Sequence, residues 1–230
     1  MGGGWWVEVY WQTDKMLLIS WVFWLFVSIV LHELAHGFAA IRCGDRTPIE
    51  LGHMTPNPLV HMGPASLIAF ALFGLAWGSM PVNPSRFRGY YDDFKVSGAG
   101  PAVNIGLALV CGVSSGLWIA LAGGWVFESV TVPDTLYGNV QTFLNLGCTL
   151  NVVLVVLNLL PIPPLDGSTM LANLSPAYNR LLRHDNAMGM GMLLFAAVFF
   201  YGSQYLWAIG HWTNGLLVDG VLRVLAPGAM

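Results

Sequence analysis

Charge is scarce in this chain of 230 residues. Lys and Arg together number 9 and Asp and Glu 12, which makes only 9% of the sequence. An ordinary soluble domain carries about 25%. Hydrophobic residues make up 56% and the mean hydropathy is +0.64, so a water-soluble domain of this length could not hide its apolar surface. The composition is that of a polytopic membrane protein. The net charge of -3 is small and no basic stripe is present, so no nucleic-acid partner is expected. Cysteine is sparse as well. Cys43, Cys111 and Cys148 are odd in number, scattered and without a C-x-x-C pair. That pattern excludes a disulfide framework and a cysteine metal site, and leaves buried small hydrophobes as the reading. Residues 1–12 hold no Lys or Arg, so the basic start of a cleavable signal peptide is missing. There is no internal repeat, no low-complexity tract and no room for a soluble domain.

Between the charge clusters lie long apolar runs. The first spans about residues 16–41, with Trp5, Trp6, Tyr10 and Trp11 expected as interfacial aromatics at its entry. A second, short and glycine-containing, spans about 64–80. Further runs cover about 96–121, 140–160 and 187–209, and a last weak stretch at 216–225 is too short for a confident span. Backbone groups in lipid must be satisfied within their own segment, so the spans are helices. The expected fold is therefore an all-α polytopic membrane protein of about five to six hydrophobic segments. It forms one domain over residues 1–230, with a motif core at about 16–170 and C-terminal helices at about 187–226.

Lys and Arg in short loops set the orientation. Arg42 and Arg46 follow the first run, Arg86, Arg88 and Lys95 precede the third, and Arg180 and Arg183 precede the fifth. Residues 122–139 contain neither Lys nor Arg, so the third and fourth runs form a hairpin whose tip points outward. Both ends of the second run then fall on the cytoplasmic side, which one crossing cannot achieve. Either this run enters and returns or lies along the core without crossing, as its length and prolines favour, or it crosses and the charge bias fails at one loop.

The chemistry begins at the end of the first run, in His32-Glu33-Leu34-Ala35-His36. Two histidines four residues apart share one helix face, since four steps of about 100° return near the start. That spacing suits one zinc ion, with Glu33 beside it as general base. A catalytic zinc takes three protein ligands and leaves a position for water. Asp166 is the best third ligand. Pro161, Pro163 and Pro164 break the helix ahead of it, and Gly167 permits a tight turn behind it. Charge bias puts this broken end on the same side and at the same depth as the two histidines. A carboxylate at membrane depth is costly and usually functional, and a nearby dication favours its ionised form.

Other polar residues are less specific. Asn158 reads either as helix–helix glue or as a donor to a developing oxyanion. Asn104, in Gly100-Pro101-Ala102-Val103-Asn104, has packing as its default, and Asn145 and Asn151 are expected in interhelical hydrogen bonds. His53 and His61 could support the site, with solvated loop histidines as the default. Asp92 and Asp93 are expected on a solvated face.

Taken together, the residues resemble the site-2 protease family of intramembrane zinc metalloproteases, in its compact prokaryotic branch. The resemblance rests on His32 to His36, on Gly100 to Asn104, on Asn158 through Gly167 with its Pro-Leu-Asp-Gly end, on Asn57-Pro58-Leu59-Val60-His61 and on residues 81–88. It implies that His32, His36 and Asp166 bind one zinc ion per chain and that Glu33 is catalytic, and it moves Asn158 toward a substrate or transition-state contact. Relatives often carry an Asp two residues after the position of His61, where this chain has Gly63, so no role can be carried over to that position. The activity implied is cleavage of a transmembrane protein or peptide in the lipid bilayer of the cell membrane, with the active site near the cytoplasmic side. The substrates implied are membrane-tethered regulators or remnant signal peptides, and regulation would come through the membrane core or a membrane partner. The alternative from a different class is a metal-dependent transporter or ion pathway, which inverted repeats and paired broken helices would favour.

Overall fold

A computed structural model of the chain describes residues 5–122 and 135–225. Among these residues every regular element is helical. Helix α1 (Trp6–Thr13) leads into α2 (Lys15–Cys43), whose start is capped by the Asp14 carboxylate accepting from the Leu17 amide at 2.8 Å. After Lys15 no formal charge interrupts α2 until Glu33. A short α3 (Thr47–Glu50) and α4 (Pro58–Phe73) follow. Beyond a single 3-10 turn come α5 (Asp92–Ala122), α6 (Leu136–Asn158), α7 (Asp166–Leu174) and α8 (Pro176–Leu182). The last run is α9 (Ala187–Ala197), a π turn (Val198–Gly202) and α10 (Ser203–Leu225).

Four of these stretches are long and apolar enough to cross a membrane: Lys15–Cys43, Asp92–Leu121, Leu136–Asn158 and Ala187–Leu225. The expected fifth run and the weak final stretch are thus one helical run interrupted by the π turn. The outward hairpin tip expected between the third and fourth runs lies outside the described residues.

Helices α2, α5 and α6 form the centre. Trp24, Leu25 and Ile29 of α2 meet Ala108 and Cys111 of α5 and Cys148 and Leu150 of α6 in one buried cluster. All three cysteines are free and buried, as their scatter implied. Helix α10 lies against this centre, with Leu217 and Val221 over Gly112 and Gly116 of α5, the small-residue spacing that lets helix backbones approach.

The second run resolves its parity problem by returning. Helix α4 stops at Gly74 (φ 73°), whose carbonyl accepts from Trp21 Nε1 at 3.3 Å near the start of α2. Trp5 and Trp6 both donate to the Ala71 carbonyl there, so these aromatics also anchor α4. The chain then runs back in extended form. The Ser79 amide reaches the His61 carbonyl at 3.0 Å, and the Arg88 amide reaches the Cys43 carbonyl at 3.2 Å. Residues 58–88 thus leave and rejoin the same end of α2.

Two buried carboxylates fasten that end. The Asp45 side chain is wholly buried. It accepts from the Asn83 amide at 2.6 Å and from the Thr47 amide at 2.9 Å, with Arg86 Nη1 at 3.8 Å. Asp92, expected on a solvated face, is instead buried at the start of α5. It accepts from the Gly89 amide at 2.7 Å and from Lys95 Nζ at 2.8 Å, because the turn before α5 leaves amides that need an acceptor.

Burial alone would push the Asp45 carboxyl up. The Asn83 amide, the Thr47 hydroxyl and amide and the Arg86 guanidinium outweigh it and hold the group below its usual value. Its stabilising contribution is therefore complete above the unfolded value of about 3.9 and is lost as pH falls through the folded one. Asp45→Asn should cost about 1–3 kcal/mol near neutral pH. Thermal unfolding in detergent checks this: wild type and variant should differ at pH 7 and converge on acidification below about pH 4.

Candidate metal centre

Helix α2 is 29 residues and about 43 Å long at 1.5 Å per residue. His32 and His36 lie about 26 and 32 Å along it from its start, a distance comparable with the ~30 Å thickness of a hydrocarbon core. Both are 8% exposed, and Glu33 is 7% exposed. Their Nε2 atoms are 3.0 Å apart. Asp166 is the first residue of α7, directly after the non-helical stretch 159–165 that the prolines impose. Its carboxylate oxygens lie 3.1 Å from His32 Nε2 and 3.4 Å from His36 Nε2. These three residues are the group among the described residues that could hold a metal ion.

The other ring nitrogens are occupied. His36 Nδ1 is 2.7 Å from the Val96 carbonyl, which can only accept, so Nδ1 carries a proton and Nε2 is the nitrogen left to face a metal. His32 Nδ1 is 2.9 Å from Asn104 Oδ1. Asp166 Oδ2 is buried 3.1 Å from His32 Nε2 and has no assigned hydrogen-bond partner among the described residues. Lone pairs of two imidazoles and a carboxylate facing one another at low exposure repel, and a bound cation relieves that repulsion. A tetrahedral zinc with ligands at about 2.0–2.1 Å has ligand–ligand edges of about 3.3 Å, close to the three separations here. The donor set of two imidazoles and a carboxylate is also one that catalytic zinc uses.

Space is kept open by Gly100 of α5. A Cβ there would lie 2.5 Å from both Nε2 atoms. The returning chain closes the other side, where a Cβ on Gly78 would meet Glu33 at 2.7 Å. A cavity of about 670 Å³ contains His32, Glu33, His36, Asp166 and Asn158, walled by residues such as Trp77 and Phe195. A second cavity of about 430 Å³, lined by Trp6, Trp21, Leu146 and Trp207, lies toward the start of α2 and holds none of these groups.

Asn158 shares the cavity, but its Nδ2 donates to the Leu154 carbonyl of its own helix at 3.0 Å. The amide is near the chemistry without being aimed at it in this state. His61 departs from the solvated default. It is 1% exposed, with Nε2 at 2.7 Å from the Thr55 carbonyl, and its own carbonyl accepts from the Ser79 amide of the returning chain. His53 packs edge-on to it with ring centroids 6.2 Å apart, and burial together with His61 holds the His53 imidazole below its usual value. Asn151 was expected only as interhelical glue. It is fully buried and bonds Asn104, which itself faces His32.

Comparison with known proteins gives the family. The family model described as peptidase family M50 matches residues 20–201. The chain is 33% identical over 187 residues to the Bacillus subtilis (strain 168) protein named "Putative zinc metalloprotease YwhC", covering 80% of this chain and 82% of that one. No solved structure matches the chain. The family match extends over most of the sequence, from α2 through the metal-facing end of α7 to the π turn. The chain belongs to peptidase family M50, the site-2 protease family, and is a membrane metallopeptidase.

Proposed function

We propose that this protein is an intramembrane zinc endopeptidase that cleaves peptide bonds in or near transmembrane segments of other membrane proteins. The carrying observation is the convergence of His32, His36 and Asp166 at one end of an apolar, membrane-length helix. In this reading those three residues hold one zinc ion, and residues 1–230 act as a single membrane-embedded domain of the cell membrane. The metal end faces the cytoplasm, since Arg42, Arg46, Arg86, Arg88 and Lys95 cluster there.

Bound zinc would supply Lewis acidity and lower the pKa of water to about 7. Glu33 then acts as the general base. It takes a proton from the attacking water, whose oxygen bonds to the scissile carbonyl carbon, and returns that proton to the amide nitrogen as the C–N bond breaks. Asn158 exchanges its bond to Leu154 for one to the carbonyl oxygen as charge builds there. A helical substrate hides its carbonyls in its own hydrogen bonds, so the scissile region must unwind locally. Membrane-tethered regulators and remnant signal peptides meet these conditions, and control would come through the membrane core or a separate membrane partner.

Glu33→Gln should keep zinc and lose about 10²–10⁴ in cleavage of a model transmembrane substrate. Metal analysis of the detergent-purified protein beside a cleavage assay tests this, and a variant cleaving like wild type would overturn the mechanism. Gly100→Ala improves local helix propensity but fills the space between the two Nε2 atoms. It should leave helical content by circular dichroism unchanged while zinc content and cleavage both fall at least about tenfold. Reporter fusions at Asn83 and Asn139 should read cytoplasmic and external respectively, and an external Asn83 would sink the orientation.

A further inference from the structure

A chain of buried amides runs from helix α6 through α5 to the metal-facing histidine of α2. The Gly147 carbonyl accepts from Asn151 Nδ2 at 2.8 Å. Asn151 Oδ1 accepts from Asn104 Nδ2 at 3.1 Å, and Asn104 Oδ1 lies 2.9 Å from His32 Nδ1. Asn104 and Asn151 are both 0% exposed. An amide side chain can be turned end for end, and an imidazole can carry its proton on either nitrogen. A backbone carbonyl has no such freedom, because it only accepts. The Gly147 carbonyl therefore orients Asn151, Asn151 orients Asn104, and Asn104 presents an oxygen to His32 Nδ1.

We infer that Asn104 and Asn151 form a hydrogen-bonded wire that holds the His32 proton on Nδ1 and the lone pair on Nε2, so that Asn151 is a positioning residue for the metal centre. Asn151 does this while bonding none of the three ligand residues and lining no part of the cavity. The wire has a competitor to suppress. With its proton on Nε2, His32 could donate to Asp166 Oδ2, 3.1 Å away, and block its own ligand position. His36 is secured directly by the Val96 carbonyl. His32 has no carbonyl at that place, and the wire relays the polarity of one from the next helix.

The inference rests on the zinc reading of the site, but the tautomer can be read without metal. Metal-free protein labelled with ¹⁵N-histidine, in detergent micelles, should show the His32 proton on Nδ1. In Asn151→Leu the signal should move toward protonation on Nε2, and zinc affinity by chelator competition should fall about 10–100-fold. Thr149→Val is the control. It is as deeply buried on the same helix, and its hydroxyl has no hydrogen-bond partner among the described residues, so both readouts should stay at wild type. Adding Asn151→Leu to Asn104→Leu should cost no further zinc affinity, because the outer link acts only through the inner one.

Three results would overturn the wire: wild-type His32 protonated on Nε2, an Asn151→Leu protein with wild-type tautomer and affinity, or a Thr149→Val protein that loses as much as Asn151→Leu. The wild-type spectrum decides even if a variant fails to fold. Wild-type protein that binds no zinc yet shows the Nδ1 tautomer would instead overturn the proposed function and leave the wire standing.

Discussion

Two imidazole nitrogens and a carboxylate brought within 3.0–3.4 Å of one another dominate this protein's design. In water such a cluster would relax by hydration or by taking up protons. Here the two histidines are 8% exposed and sit near the end of a membrane-length helix, so neither escape is free. The arrangement becomes favourable when a cation enters, and until then the scaffold must hold it against its own repulsion. Each neighbouring element contributes to that. Helix α5 supplies the Val96 carbonyl, Asn104 and the gap at Gly100; α6 supplies Asn151 and the broken end that delivers Asp166.

The same constraint explains how polarity is distributed. At the metal end, the carboxylates of Asp45 and Asp92 are saturated by amides and by Arg86 and Lys95, so the turns that frame the site are rigid without exposing unpaired charge to lipid. Farther along the bundle, Ser115, Gln141, Asn145 and Asn214 bond one another between α5, α6 and α10. Between this cluster and the Asn104–Asn151 pair lie Ala108, Cys111 and Cys148, all buried and small. The bundle is thus pinned by two polar layers with a dry layer between, and neutral amides do the pinning where charges would cost most.

Much of this was legible in the sequence because it follows from local rules. Four-residue spacing puts His32 and His36 on one face in any helix. Three prolines before Asp166 must end α6 whatever surrounds it, and the Lys and Arg bias required residues 64–80 to return or the rule to fail. What escaped depends on partners distant in the chain. His61 reads as a loop histidine until residues 75–83 fold over it. Asp92 reads as surface charge until the Gly89 amide turns toward it. The helical run from Ala187 to Leu225 reads as two pieces, since His211, Thr213 and Asn214 dilute its apolar character between them while its backbone stays helical. Asn151 gave no sign of bearing on the metal centre, because its partners are an amide 47 positions away and a carbonyl that every residue possesses.

The site is approached by bare backbone from two directions. Gly100 of α5 faces both Nε2 atoms, and Gly78 of the returning chain lies against Glu33, each so close that a Cβ would fall within 2.7 Å. A membrane metallopeptidase needs room for water and peptide at its site, yet must not open a wide aqueous hole among apolar helices. Backbone walls meet both demands. They are thin, and the extended one carries its own polar groups where lipid chains would offer none. The return of residues 74–88 along α2 therefore shapes the cavity beside Glu33 as well as the topology. A second crossing helix in the same place would present side chains, with its own carbonyls and amides already spent, and the cavity beside Glu33 would lose its bare backbone wall.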